Sequence, residues 1–326
     1  MKSNYRYIVK AFMAMAVIAG TTSCDDFLDR EPMSSISPET YYSTAAQLEA
    51  NLNDEYPNVL PSFCQWTYGI FGEDKGTDNQ IEVNANDRYT QDRWKVPHSE
   101  SDNWKFERIY RINFFLSEAL PKFGEDMSGS QNTISGSVAT IKHYIGEMYF
   151  LRAYEYFKKL QLFGDFPIIN QPLADEMEAL REASKRFPRN EVARFIISDL
   201  DKAYAYMSDV DMATTRINKD AAMLVKSRVA LFEATWLQNF KGTAFVPGGE
   251  GWPGASLHNN YQYPSGNLDN EVKYFLEQAV EASKLVADKY KGNLTENTGV
   301  LQQSADDPSN PYFDMFAQED LSDVKE

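Results

Sequence analysis

The stretch that most constrains the fold runs from residue 146 to residue 169, with the sequence GEMYFLRAYEYFKKLQLFGDFPII. Around it, side chains spaced three and four residues apart form one stripe of a helix: Ile141, Ile145, Met148, Tyr149, Arg152, Tyr156 and Leu160. The opposite side is apolar too, at Phe150, Leu151, Tyr154 and Phe157. A helix that is apolar nearly all round is covered by neighbours on several sides, so this segment predicts a central helix.

The end of this helix and the role of the arginine at its centre can also be predicted. Gly164 is expected to end the helix, and Pro167 prevents it from resuming. Arg152 lies in the middle, and a buried guanidinium needs charged partners. Glu147 and Glu155 are near it in sequence. We interpret Arg152 as one half of a structural ion pair.

The same segment carries a family resemblance. The pattern G-E-x-x-F-L-R-A-x-x-Y-F, followed by L-F-G-D-F-P, resembles the signature of the SusD/RagB family, which are nutrient-binding lipoproteins of the Bacteroidota outer membrane. Blocks at residues 36–56, at W-x(5)-Y-x-x-N from Trp104 to Asn113, and at residues 216–236 resemble the same family. The resemblance implies an all-α, SusD-like helical domain with tetratricopeptide-like helix pairs and long irregular loop excursions.

The first residues have the pattern of a targeting signal. Three basic residues within the first ten precede a short apolar run, Ala11 to Gly20, and Cys24 follows shortly after. Residues 1–23 are therefore predicted to be a secretory signal peptide, too short to span a membrane. Because CDDFLDREP resembles the mature N-terminus of the family, Cys24 is predicted to be lipidated and residues 24–43 to form a tether. The alternative is an ordinary signal peptide followed by an unmodified cysteine.

Charge restricts the class of partner. The chain of 326 residues has a formal net charge of −16, from 32 basic and 48 acidic residues. Nucleic acid and anionic lipid surfaces both need basic residues, so neither is an expected partner. Neutral glycans are compatible with this charge.

Further helices are predicted from apolar spacing and capping residues. Their expected positions are Thr44 to Tyr56 ending at Pro57, Asn103 to Leu120 capped by Asp102, a helix capped by Asn190 and reaching Met207, one capped by Asn218, and Glu271 to Tyr290. The domain is expected to occupy residues 44–326. Because the end of the chain resembles a family motif that normally continues, this domain is expected to be incomplete at its C-terminus.

Two irregular segments hold the candidate binding residues. Loops on a rigid scaffold often carry function, and an exposed aromatic ring can stack on the apolar face of a sugar while Asp or Asn binds its hydroxyls. Residues 57–98 contain Trp66, Asp78, Asn79 and Trp94, and the Gly/Pro-rich loop 238–268 contains Trp252. Trp94 with Asp78 is preferred, because this region precedes the helix near which the family places part of its ligand surface. The two remaining tryptophans, at positions 104 and 236, have helical spacing and are assigned to packing.

No catalytic residue, metal ligand or cofactor is predicted. The chain has three histidines and no H-E-x-x-H motif, and its glycine-rich stretch GGEGWPG lacks the Lys-Ser/Thr of a phosphate loop. Close carboxylate pairs are inevitable among 48 acidic residues, but no motif selects one for glycoside hydrolysis.

The resemblance therefore implies a binding protein rather than an enzyme. It implies a lipid-anchored, surface-exposed outer-membrane protein that binds an oligosaccharide and delivers it to a SusC-like TonB-dependent transporter. One alternative is an extracytoplasmic helical glycoside hydrolase, and another is a peptide-binding member of the same family. The sequence does not choose the glycan.

Overall fold

The computed structural model describes residues 41–61, 103–124, 126–208, 212–213 and 215–292. Residues from Tyr42 onward belong to one compact unit, and Tyr41 is the described residue of a separate unit, residues 1–41. The described ranges contain seven α-helices: α1 (Ala45–Val59), α2 (Glu107–Phe123), α3 (Val138–Phe163), α4 (Met177–Ala183), α5 (Arg189–Tyr206), α6 (Lys219–Asn239) and α7 (Leu268–Tyr290). These ranges hold two isolated β-bridges but no strand, and the predicted all-α class is confirmed.

Helix α3 lies at the centre of the helical packing. It contacts α1, α2 and α5, while α5 contacts α6 and α6 contacts α7. Ser137 caps its start by accepting a hydrogen bond from the Thr140 amide, and Gly164 ends it at φ 68°, a conformation that favours glycine. The prediction of a central helix that ends at Gly164 is confirmed.

The burial of α3 on all sides follows from its sequence. Ile145 and Leu151 point to different sides of the helix, and both are fully buried. Gly146 allows α5 to come close, since a Cβ there would lie 2.8 Å from the backbone nitrogen of Met207. Because glycine has no side chain, the backbone of α3 can lie close to the end of α5 at this position.

Arg152 forms a buried ion pair, but with a partner different from the two suggested by sequence proximity. Its Nε and Nη2 donate to the two carboxylate oxygens of Asp199 on α5, at 2.6 and 2.9 Å. Its Nη1 donates to Asn113 Oδ1 at 2.8 Å and to the Asn170 carbonyl at 3.1 Å. The structural role is confirmed, and the expectation of Glu147 or Glu155 as partner is wrong, because both carboxylates are bound elsewhere.

Glu147 instead joins three distant parts of the chain. Arg216 Nη2 and the Tyr56 hydroxyl each donate to Glu147 Oε2 at 2.6 Å. The amide of Ile217 donates to the same Tyr56 hydroxyl at 3.1 Å. Glu155 is paired with Lys158 and Lys159 on its own helix, at 3.4 and 3.3 Å.

Several helix boundaries differ from the prediction, and among them α2 ends at Phe123 and α7 begins at Leu268. Helix α1 begins one residue later than expected, after the N-cap Thr44, and it continues through Pro57 to Val59, because a proline in the last turn removes only one backbone donor. Helix α2 begins at Glu107, four residues later than expected. The reason is that Lys159 Nζ binds the carbonyl of Asn103 at 2.8 Å, so this stretch is fixed by tertiary contacts rather than by helical hydrogen bonds.

The second half of the chain contains one unpredicted helix and one wrong cap. The short helix α4 was not predicted from the polar stretch after Pro172. Asn190 was expected to cap α5, but it lies inside the helix, fully buried, and its amide binds Glu271 of α7 at 3.0 Å. Asn218 caps α6 as predicted, by accepting from the Ala221 amide at 2.8 Å. Within the described ranges, no helix combines the length and the apolar character needed to cross a membrane.

Candidate ligand-binding site

The candidate site is built around the end of α3, where Asp165 joins three segments. Its carboxylate accepts from the amide of Arg189 at 2.9 Å, which fixes the start of α5. It also accepts from the indole nitrogen of Trp252 at 2.7 Å, which fixes the Gly/Pro-rich loop. Burial raises the pKa of Asp165, and these two donors act in the opposite direction. One carboxylate thus holds the loop against the helical core.

Trp252 is a structural residue of this loop. A tryptophan among glycines and prolines was expected at the surface, but Trp252 is only 5% exposed, and that expectation is wrong. Its ring packs against His258 and Tyr261, with centroids 6.0 and 5.6 Å away. Gly254 makes room for the indole, since a Cβ there would lie 2.2 Å from Trp252 Cζ2. A covered ring of this kind offers no face to a sugar in this arrangement.

The hydroxyl groups of two tyrosines in the loop also form hydrogen bonds within the protein. Tyr261 exchanges hydrogen bonds with the side chain of Asn190, at 2.9 and 3.1 Å. Tyr263 donates to the carbonyl of Pro247 at 2.6 Å. Apart from a short 3-10 helix at Pro253–Ser256, the loop is therefore held by backbone turns and by side-chain contacts along its length.

Glu271, at the start of α7, receives several of these contacts. Arg194 donates to both of its oxygens, at 2.7 and 2.8 Å, and the Ser265 amide donates at 3.1 Å. Burial acts to raise the pKa of Glu271, but the hydrogen bonds from Arg194, Asn190 and Ser265 outweigh it and lower the pKa. The carboxylate is thus stabilised in its charged form.

A group of aromatic rings that is partly open to solvent lies in this loop and at the end of α6. Phe245 is 61% exposed, and its ring meets Phe240, which in turn meets Trp236, with centroids 5.4 and 4.5 Å apart. The guanidinium of Arg189 lies 4.1 Å from the centroid of the Trp236 ring. Trp236 packs as predicted but is only partly covered. Sequence spacing did not distinguish Phe245 from the other loop aromatics, and only its position in the folded loop exposes it.

A second aromatic group surrounds Trp104, just before α2. Phe163 and Phe166 pack edge-on against the indole, with centroids 4.8 and 4.9 Å away. The Arg186 guanidinium lies 4.6 Å from the ring centroid. The packing role predicted for Trp104 is confirmed, although Trp104 lies just before α2 rather than within it.

The remaining predicted site residues, Trp66, Asp78, Asn79 and Trp94, lie outside the described residues, as does Cys24. Trp94 is ten positions before Trp104 in the sequence. Among the described residues, no group of three or more His, Cys, Asp or Glu side chains is arranged to hold a metal ion.

Known proteins resemble this chain over part of their length. SusD-like protein P25 of Formosa agariphila is 25% identical over 233 residues, covering 66% of this chain and 41% of that protein. SusD-like protein P2 of the same organism is 25% identical over 251 residues, covering 74% and 46%. The chain thus spans less than half the length of these two relatives.

Two solved structures are also similar. A SusD-like carbohydrate binding protein from Bacteroides vulgatus has 15% identity and a TM-score of 0.46, with 80% of this chain and 48% of that chain covered. A SusD-like protein from Bacteroides fragilis has 16% identity and a TM-score of 0.45, with 82% and 42% covered.

The match to a family rests on residues 26–231. These residues match the sequence model of a SusD-like family described as "starch-binding associating with outer membrane". The matched segment includes α1, α2, α3 and α5 and the end of α3 at Asp165. Since the match covers well over half of the chain, the protein belongs to the SusD-like family.

Proposed function

We propose that this protein is the cell-surface, carbohydrate-binding component of a nutrient uptake system. It captures an oligosaccharide outside the outer membrane and delivers it to a SusC-like TonB-dependent transporter. The observation that carries this proposal is the family match over residues 26–231, whose description names starch binding and outer-membrane association. The net charge of −16 agrees with a neutral glycan as the ligand.

The direct test is binding to a panel of neutral oligosaccharides, with maltoheptaose as the starch-type member, measured by isothermal titration calorimetry. We expect saturable binding and no new reducing ends after prolonged incubation. Release of shorter sugars would support a glycoside hydrolase instead. Binding of peptides and of no glycan in the panel would contradict the proposed ligand class.

The anchor is proposed to be a lipid attached to Cys24, directly behind the predicted signal peptide. One acyl chain gives only marginal membrane binding, whereas several chains anchor a protein firmly. Cys24→Ala is expected to abolish incorporation of labelled palmitate and to release the protein from the outer membrane. Cys64→Ala is the matched control and should keep both properties. Palmitate labelling that persists in Cys24→Ala would contradict the proposed anchor.

The partner can be tested in the same membranes. A TonB-dependent transporter should co-purify with the protein from outer membranes solubilised in mild detergent. Because the proposed anchor places both proteins in one membrane, the Cys24→Ala variant should recover less of the transporter. Absence of any such transporter from the purified wild-type complex would argue against delivery to this class of partner.

The glycan contact is proposed to include Trp94, with Asp78, Asn79 and Trp66 as its companions. Loss of one aromatic anchor costs about 1–3 kcal/mol, or about a 5- to 150-fold weaker affinity. Trp94→Ala should show this loss with little change in melting temperature.

Trp252→Phe is the control for a change that affects stability rather than glycan binding. It removes the buried hydrogen bond to Asp165, so it should lower stability and leave glycan affinity nearly unchanged. A Trp94→Ala variant that unfolds more easily and binds normally would make Trp94 a packing residue.

A further inference from the structure

An open cavity lies between α5 and α7, and none of the residues that line it belongs to the loop of Trp252. Its volume is about 360 Å³, near the lower end of the ~300–1,000 Å³ of typical small-ligand sites. Residues of α5 line one wall: Arg194, Ile197, Ser198, Asp201, Lys202 and Ala205. Tyr274 of α7 and Met127 complete the lining.

The aromatic ring of this cavity, Tyr274, is held in place by contacts within the protein. The guanidinium of Arg194 lies 3.7 Å from the centroid of the Tyr274 ring, well within the distance of a cation–π contact. Arg194 is itself held by Glu271 and by the hydroxyl of Ser265, to which its Nη2 donates at 2.7 Å. A ring held in this way loses little conformational freedom when a ligand stacks on it, which favours binding.

The charged groups of the cavity already have partners. Three ion pairs involve them: Arg194–Glu271 at 2.7 Å, Asp201–Lys226 at 2.7 Å and Lys202–Asp199 at 3.7 Å. Arg194 and Asp201 are therefore each balanced by a neighbour of opposite sign, whereas Lys202 shares Asp199 with Arg152. The polar atoms of such a surface can bind the hydroxyl groups of a neutral ligand.

The opposite rim carries a strained residue. Met127 has φ 57°, which is rare for any residue other than glycine, Asn or Asp. The adjacent Asp126 holds this turn by accepting from the hydroxyls of Ser128 and Ser130, at 2.6 and 2.8 Å. Strained backbone of this kind persists only where surrounding contacts maintain it, and it often occurs at ligand sites.

From the ring, the paired charges of Arg194 and Asp201 and the strained rim, we propose that this cavity is a second contact site for a neutral oligosaccharide. One sugar ring stacks on Tyr274, and its hydroxyls bind Ser198 and Asp201. This inference rests on the proposed function for its ligand class. It adds a contact on the helical scaffold itself, separate from Trp94.

The test measures maltoheptaose affinity by calorimetry in three variants, or affinity for whichever neutral member of the panel binds most tightly. Tyr274→Ala should weaken binding about fivefold or more, the effect of losing about 1 kcal/mol. Ala205→Trp, at an exposed position on the cavity wall, should weaken binding by filling the cavity while leaving Tyr274 in place. Tyr204→Ala is the matched control, because Tyr204 has a cation over its ring, Lys219, as Tyr274 has Arg194, yet Tyr204 lies on α5 outside this lining.

The outcomes separate this inference from the proposed function. Unchanged affinity in both Tyr274→Ala and Ala205→Trp, with wild-type binding intact, overturns the second site and leaves the function standing. If no neutral oligosaccharide binds the wild-type protein, both proposals fail.

Discussion

Replacing Arg152 with methionine tests how much the central helix depends on the buried guanidinium at its centre. Asp199 is fully buried and would keep only Lys202, 3.7 Å away and itself half-exposed. Removing one partner of a buried ion pair typically costs about 3–5 kcal/mol, because the other charge stays buried without compensation. Asn113 Oδ1 would also lose its donor. We therefore expect a loss of at least about 3 kcal/mol, and a fall in melting temperature of at least about 6 °C.

The matched variant removes both charges. Arg152→Met with Asp199→Leu leaves no buried charge, and such replacements are often neutral or stabilising. Chemical denaturation of the wild type, both single variants and the double variant gives a coupling energy, which we expect to reach about 2 kcal/mol. If Arg152→Met costs less than about 1 kcal/mol, or if the two single effects simply add, the buried pair does not have the role described.

Three other perturbations test particular contacts. Leu151→Ala removes a fully buried side chain of α3 and should cost about 2–5 kcal/mol in denaturant unfolding. Gly254→Ala places a methyl group 2.2 Å from the Trp252 ring, so it should cost about 1–3 kcal/mol and change the near-UV circular dichroism. The pKa of Glu271 is lowered in the folded state, so its contribution is present above the unfolded value of 4.5 and is lost as pH falls through the folded value. Glu271→Gln should therefore lose less stability than the wild type between about pH 5 and pH 3.

The first two of these perturbations each have a nearby comparison. Leu162→Ala, at an exposed position of the same helix, should leave the denaturation midpoint unchanged. Ala255→Ser, next to Gly254 but at the surface, should leave the tryptophan environment unchanged. Equal losses in Leu151→Ala and Leu162→Ala would contradict the burial described for α3. If the stability of the wild type and that of Glu271→Gln change with pH in the same way, the Glu271 carboxylate does not contribute to the pH dependence.

Features set by residues close in sequence could be predicted, and features set by distant residues could not. The end of α3 at Gly164 and the cap of α6 at Asn218 depend on one or two turns of chain, and both were predicted correctly. The partner of Arg152 was not, because Asp199 lies 47 residues away and nearer carboxylates were available. Asn190 looked like a cap, but its partner Glu271 is 81 residues further on.

The candidate site shows the same division. Local composition correctly marked residues 238–268 as an irregular, aromatic-rich loop. Burial of Trp252 could not be predicted from it, because that burial depends on Asp165, 87 residues earlier in the chain. Whether a loop aromatic is covered or exposed depends on such remote partners, as the contrast between Trp252 and Phe245 illustrates.

The contacts of Tyr56 also set an order of events during synthesis. The Ile217 amide that donates to its hydroxyl lies 161 residues further along the chain. At about 5–20 residues per second, that amide emerges about 8–32 s after Tyr56 itself. Throughout this interval Arg216, which also binds Glu147, has not yet been made. The hydrogen bonds that join α1 to α3 through Glu147 are therefore incomplete. Helix α1 is therefore made before α3 but secured only after residues 216 and 217 have been added, and long-range closure of this kind slows folding.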